Sequence, residues 1–137
     1  MTLGASSGVL GYTALTPAGN YSITVTATDF ASPAVTGTTS FAVNIALLMT
    51  PSSTATPSTG TAGPVRTITA TGNTGAVTYA TATSGFTVNS STGVVSSASG
   101  TAAGTYTVVV TATDATVAPG ATAVATGTVS FSATVIP

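Results

Sequence analysis

The chain has 137 residues, room for one domain or one domain plus a fragment of another. It carries two acidic residues, Asp29 and Asp114, one basic residue, Arg66, and no His, Cys, Lys, Glu, Gln or Trp, for a net charge of -1. A Ser or Thr nucleophile therefore has no His or Lys to take its proton, and zinc, copper or haem would find neither imidazole nor thiolate. The two carboxylates stand 85 positions apart and form no evident acid pair. One Arg cannot neutralise a run of phosphates, and no Gly-rich Lys-Ser/Thr loop is present to cradle a nucleotide. The composition excludes the common enzyme classes, calls for no cofactor and offers no nucleic-acid partner. Without Cys, stability rests on packing.

Thr is the most frequent residue, while the helix formers Glu, Lys and Gln are missing, so strands are expected throughout. The first clear element runs from Tyr21 to Thr28. Tyr21, Ile23, Val25 and Ala27 fall on one face and Ser22, Thr24, Thr26 and Thr28 on the other, the period of a half-buried strand. Phe41, Val43 and Ile45 repeat the pattern. The apolar run Ile45 to Met49 is far too short to cross a bilayer, and no charged segment precedes a hydrophobic stretch at Met1, so neither a membrane span nor a signal peptide is expected. Pro51 to Pro64, rich in Pro, Ser and Thr, leads straight into strand pattern and is expected to form an extended first edge strand. Val65 to Ala70 and Ala76 to Ala82 are strand candidates around Gly72-Asn73-Thr74-Gly75, a hairpin-type turn. Arg66 has no obvious acidic partner and is expected to be solvated. Tyr106, Val108, Val110 and Ala112 then alternate with Thr107, Val109, Thr111 and Thr113, and Val129, Phe131, Ala133 and Val135 close the chain with the same period. Inward Val, Ile and Phe residues at about 1.5 to 3 kcal/mol each would anchor a small two-sheet core.

These segments are copies. At an offset of 85, residues 2–29 align without a gap on 87–114 with 13 identities in 28 positions, including Gly19/Gly104, Tyr21/Tyr106 and the run ending in Asp29/Asp114. Beyond the Asp the second copy is longer by five residues, around Pro119-Gly120, and Ser40-Phe41 then matches Ser130-Phe131 at an offset of 90. Residues 1–47 read as the C-terminal half of a repeat, and 48–137 as a complete one.

The residues Val88-Asn89-Ser90-Ser91-Thr92-Gly93-Val94-Val95, then Gly104-Thr105-Tyr106-Thr107-Val108 and Thr111-Ala112-Thr113-Asp114, resemble the immunoglobulin-like repeats, related to cadherin-like domains, of large bacterial surface proteins and some phage proteins. The resemblance covers about 50–137, and again 1–47 for its back half. It implies an all-β fold, an immunoglobulin-like antiparallel β-sandwich, and a role as spacer, stalk or adhesive module. Cadherin-like relatives can bind calcium between repeats through several acidic residues; here only Asp29 and Asp114 occupy matching places, and the rest of that ligand set is absent.

Each Asp follows a strand, where a carboxylate commonly accepts backbone N–H bonds and starts a turn, whereas calcium wants six to eight oxygens. Tyr21 and Tyr106 are expected to be tyrosine-corner-like anchors, and Tyr21, Val25, Phe41, Tyr106, Val110 and Phe131 are the expected core anchors. Gly19 and Gly104 are expected to supply tight turns. With almost no charge to guard its strand edges, the chain is expected to be finished by a neighbour, an adjacent repeat or another copy meeting it edge to edge. The expected function is a non-catalytic structural or adhesive repeat at the cell surface or outside the cell. A self-polymerising subunit of a filament or virion surface is the alternative, and a glycan- or ice-binding module a third. The distal ligand is not named by these residues.

Overall fold

The computed structural model describes residues 1–52, 58–59 (backbone only) and 61–137. Every regular element among them is a strand: β1 (Thr2–Leu3), β2 (Leu10–Gly11), β3 (Gly19–Thr28), β4 (Thr36–Ile45), β5 (Leu48–Pro51), β6 (Ser58–Thr59), β7 (Gly63–Thr71), β8 (Val77–Thr81), β9 (Phe86–Val88), β10 (Val94–Ser97), β11 (Gly104–Asp114) and β12 (Thr126–Ile136). Among the described residues no helix is long and apolar enough to cross a membrane.

From β5 onward the strands form two four-stranded sheets, β5-β7-β10-β9 and β6-β12-β11-β8. Every contact between neighbours is antiparallel except β6, which runs parallel to β12. This is the strand order of an immunoglobulin-type sandwich, with the first strand switching sheets at β6. The alternating apolar residues build its core. Val65 and Ile68 of β7, Phe86 of β9 and Val95 of β10 pack against Val108 and Val110 of β11 and Phe131, Ala133 and Val135 of β12. The Thr residues between them face out, with Val109 left exposed in their row.

Two local expectations fail in informative ways. Gly72-Asn73-Thr74-Gly75 is no hairpin: β7 and β8 lie in different sheets, and the turn carries the chain across the sandwich because β8 pairs with β11 instead. Arg66 is half-buried, its guanidinium 4.9 Å from the Phe131 ring centroid, and its Nε is buried and meets no acceptor among the described residues. The cause is a register shift between Val95 and Ser96, where Val65 is bulged out of the pairing, so that strict alternation no longer sends Arg66 outward. The expected edge strand Pro51 to Pro64 is represented by Pro51 at the end of β5, by β6 and by the start of β7; residues 53–57 and 60 lie outside the described residues.

Before β5 the chain repeats the second half of that sandwich. In β1 and β2, Thr2 pairs with Gly11 and Leu3 with Leu10, the register of Thr87 with Ser96 and Val88 with Val95 in β9 and β10. Gly8 and Gly93 turn the two hairpins with φ of 66° and 69°. The ten-residue pairing of β3 with β4, from Gly19–Ile45 to Thr28–Thr36, reproduces that of β11 with β12, from Gly104–Val135 to Thr113–Thr126. Among the described residues β1 pairs only with β2 and β3 only with β4, apart from an isolated antiparallel bridge between Asn20 and Ala123.

The facing of β11 and β12 can be tested by charge. Val110→Asp and Phe131→Asp each bury an unpaired carboxylate and are expected to cost about 3 kcal/mol or more, whereas Thr111→Asp should stay within about 0.5 kcal/mol. Thermal or urea unfolding of the three variants measures this.

Candidate interaction surface

Asp114 ends β11 with its side chain buried, 1% exposed. Its carboxylate accepts the N–H groups of Thr74 at 2.6 Å, Gly75 at 2.9 Å and Thr116 at 3.0 Å, so one side chain pins the β7–β8 crossover to the loop after β11. Burial pushes this carboxyl upward, but the backbone N–H groups of Thr74, Thr116, Gly75 and Ala115 together outweigh it and hold the group below the usual carboxylate range. Asp29 directly follows β3 in the matching place. Its own N–H donates to the Val35 carbonyl at 3.0 Å, as that of Asp114 does to Ala125 at 2.9 Å. The Asp29 carboxylate accepts from Ala31 at 3.1 Å and Val35 at 2.8 Å, and no described residue takes the place that Thr74 and Gly75 take for Asp114. The structure places both weak calcium candidates in turns, as acceptors of backbone N–H groups, and does not bring them together into a ligand set.

The two tyrosines hold matching posts. Tyr21 donates its hydroxyl to the Pro17 carbonyl and Tyr106 to that of Ala102, each at 2.7 Å and each four residues upstream, the geometry of a tyrosine corner. They differ in cover. Tyr21 is 6% exposed, whereas Tyr106, which stacks edge-on against Phe86, is only half-buried. The loop after β11 accounts for the difference. Thr122 donates its N–H and its hydroxyl to the Asn20 carbonyl, at 2.6 and 3.0 Å, and Pro119, Gly120 and Tyr21 line one groove.

That loop belongs to a built junction. Ala18 donates its N–H to Gly72 at 2.9 Å, Leu47 donates to Thr126 at 3.1 Å, and Ala18 and Leu47 pack with Ala112 and Ala125 in a second buried cluster. A Cβ on Gly127 would meet the Leu47 carbonyl at 2.6 Å, and one on Gly19 would meet the Ala121 methyl at 2.9 Å. Gly19 therefore serves close approach of two segments, and no positive φ was needed there. Sequence reading missed the junction. Its only trace was the longer loop around Pro119-Gly120, together with an apolar Leu47 outside any strand period.

The third feature is an uncovered sheet. Ile23 and Val25 of β3 and Val43 and Ile45 of β4 are half-buried, and Phe41 is 42% exposed. Their equivalents Val108, Val110, Ala133 and Val135 are at most 2% exposed, and Phe131 is 7% exposed. Val25 and Phe41, expected among the core anchors, thus depart from that expectation. The strands that would cover them have no counterpart in this half, whereas Val110 and Phe131 sit inside the closed sandwich. Along the outer edges of β3 and β4, where β8 and β6 would pair, the one charged residue is Asp29, just beyond the end of β3.

No family model matches the chain, and no curated protein matches it. Solved structures similar to it include a protocadherin gammaB7 EC3-6 cis-dimer, at 19% identity and a TM-score of 0.46 over 85% of this chain and 32% of that one. Another is the protocadherin gammaB4 extracellular domain, at 18% identity and TM-score 0.44 over 85% of this chain and 22% of that one. Mouse cadherin-23 EC22-24 is similar at 20% identity and TM-score 0.42 over 86% of this chain and 42% of that one. The chain spans about a third of the length of the first of these.

The Asp114 cradle makes stability acid-sensitive. Its folded carboxyl titrates lower than an unfolded one, so the stabilisation is full above the ordinary carboxylate value of about 3.9 and is lost as pH falls from there through the folded value. Asp114→Asn is expected to cost about 1.5 to 3 kcal/mol at pH 7 and to remove most of this acid limb. Melting temperatures of both proteins from pH 2 to 7 check the sign.

Proposed function

We propose that this chain is a non-catalytic structural repeat of an extracellular surface assembly, a stalk, adhesin or surface layer, whose sandwiches act as rigid spacers. Residues 48–137 form the complete immunoglobulin-like unit, and residues 1–47 are the back half of another, completed by front-half strands from a neighbour. One observation carries this reading. The apolar face that β11 and β12 bury recurs in β3 and β4, with Ile23, Val25, Phe41, Val43 and Ile45 in the places of Val108, Val110, Phe131, Ala133 and Val135, and no described strand covers it. Covering Ile23, Val25, Phe41 and Val43 would stabilise the assembly by about 1.5 to 3 kcal/mol per fully buried side chain. The unguarded edges beside them suit strand addition, in which main-chain bonds give affinity and alternate side chains give register. Absence of catalytic function follows from composition: no imidazole, thiol or amine side chain is encoded, and both carboxylates accept backbone N–H bonds.

A self-polymerising filament subunit is the second reading, and the same bare edges favour it. An adjacent repeat is preferred as donor because β5 to β8 already cover β11 and β12 within the complete unit.

The test is donor addition. A peptide spanning residues 48–86, added to the whole chain, is expected to bind in a one-to-one ratio and to shield Phe41 from solvent. Phe41→Asp should abolish that binding while shifting the chain's own stability by under about 1 kcal/mol. Titration reads the binding and chymotryptic cleavage at Phe41 the shielding, and absence of binding, or binding indifferent to Phe41→Asp, would falsify the completion of residues 1–47 by front-half strands.

A further inference from the structure

Within the complete unit, β7 and β8 are held by more than their ladders. The Gly93 carbonyl accepts the Ile68 N–H and the Ser90 carbonyl that of Tyr79, each at 2.9 Å, while the Asp114 carboxylate takes Thr74 and Gly75 from the crossover between them. Moved back by the repeat offset of 85, these three acceptors are Gly8, Ala5 and Asp29.

Each is built as its counterpart is. Gly8 donates to the Gly4 carbonyl at 2.8 Å and Gly4 to that of Val9 at 2.9 Å, as Gly93 does to Asn89 at 3.0 Å and Asn89 to Val94 at 2.9 Å, so the two turns close alike. Asp29 Oδ1 accepts from Ala31 as Asp114 Oδ1 does from Thr116, two residues on in each case. The difference lies in what reaches them. Gly93 is buried, and a Cβ there would run into the Ile68 carbonyl; Gly8 is exposed, and a Cβ there would meet nothing within 4 Å. The carbonyls of Ala5 and Gly8 accept no bond from the described residues. Asp114 Oδ2 takes the Thr74 N–H at 2.6 Å, whereas Asp29 takes both of its bonds on Oδ1, and its Oδ2 accepts from no described residue.

We infer that Ala5, Gly8 and Asp29 form the polar recognition set for the strands that complete residues 1–47, and that Asp29 demands a particular partner: two strands joined by a tight turn whose free backbone N–H meets Oδ2, as Asn73-Thr74-Gly75 does at Asp114. This rests on the strand-completion reading above and adds what the partner must present. The apolar face alone would take any hydrophobic strand. Main-chain acceptors at fixed places set the register, and a carboxylate oxygen covered without a donor disfavours strands that bring none. The residue after the donor must be small, because a Cβ on Gly75 would approach Asp114 Oδ1 to 3.2 Å. The requirement is the same whether the strands belong to the same polypeptide or to another.

The test titrates the whole chain with the peptide of residues 48–86, and with the same peptide carrying an ester in place of the Thr74 amide, which removes that N–H alone. Asp29→Asn keeps an oxygen for its own loop and sets an NH₂ against the incoming N–H. Gly8→Asn retains a residue that tolerates positive φ and puts a side chain where the Ile68 carbonyl would lie. Either Asp29→Asn or the ester is expected to weaken binding about 10-fold or more, with little further loss when the two are combined. Gly8→Asn is expected to abolish binding, and both variants should melt close to wild type. Wild-type affinity in Asp29→Asn, in Gly8→Asn or for the ester peptide overturns the inference, as do losses from Asp29→Asn and the ester that simply add. If Phe41→Asp still abolishes binding in that case, the strand-completion reading stands. Failure of the unmodified peptide to bind wild type overturns that reading and the inference with it.

Discussion

The structure depends on covering one apolar face. In a chain with three charged side chains and no disulfide, the free energy of folding comes from placing Val, Ile and Phe of β11 and β12 against those of β7, β9 and β10. Where both sheets are present, Val95, Val108 and Val110 are completely buried. In the N-terminal half, the pairing register, the Gly8 turn, the tyrosine hydroxyl bond and the Asp-closed loop all recur, and the face still lies open. Local sequence builds the hairpins; it cannot bury them.

Asp114 ties this to the rest of the molecule. A buried carboxylate is unfavourable on its own, and this one is held ionised by N–H groups from both the β7–β8 crossover and the loop after its own strand. It thereby fixes the end of the sandwich against which Ala18 and Leu47 pack. Asp29 accepts bonds only from its own loop, so among the described residues β3 and β4 have neither a covering sheet nor the polar bond that would lock one in place.

Much of this was legible in the residues. Period-two alternation placed β3, β4, β11 and β12 and their facing, and the repeat offset aligned Tyr21 with Tyr106 and Asp29 with Asp114. What escaped has physical reasons. Arg66 turned inward because a bulge at Val65 broke the alternation, which no single-strand pattern reveals. Gly72 to Gly75 carries turn chemistry, but whether a turn joins paired strands or crosses between sheets depends on the partner, here Asp114 forty positions away. Phe41 and Phe131 read identically in sequence, and their burial differs because it is set by strands elsewhere in the chain. The junction was illegible for the same reason: Gly19, Ala18 and Leu47 matter through close approach, and small residues announce no period.

The most direct measurement is residue-resolved hydrogen exchange on the dispersed, monomeric chain, comparing each β3 amide with its β11 equivalent 85 positions later. With the covering sheet absent, β11 amides should exchange only through global unfolding, and β3 amides on the order of 100-fold faster or more. Equal protection of the two strands in the monomer would contradict an N-terminal half that needs a neighbour to finish it.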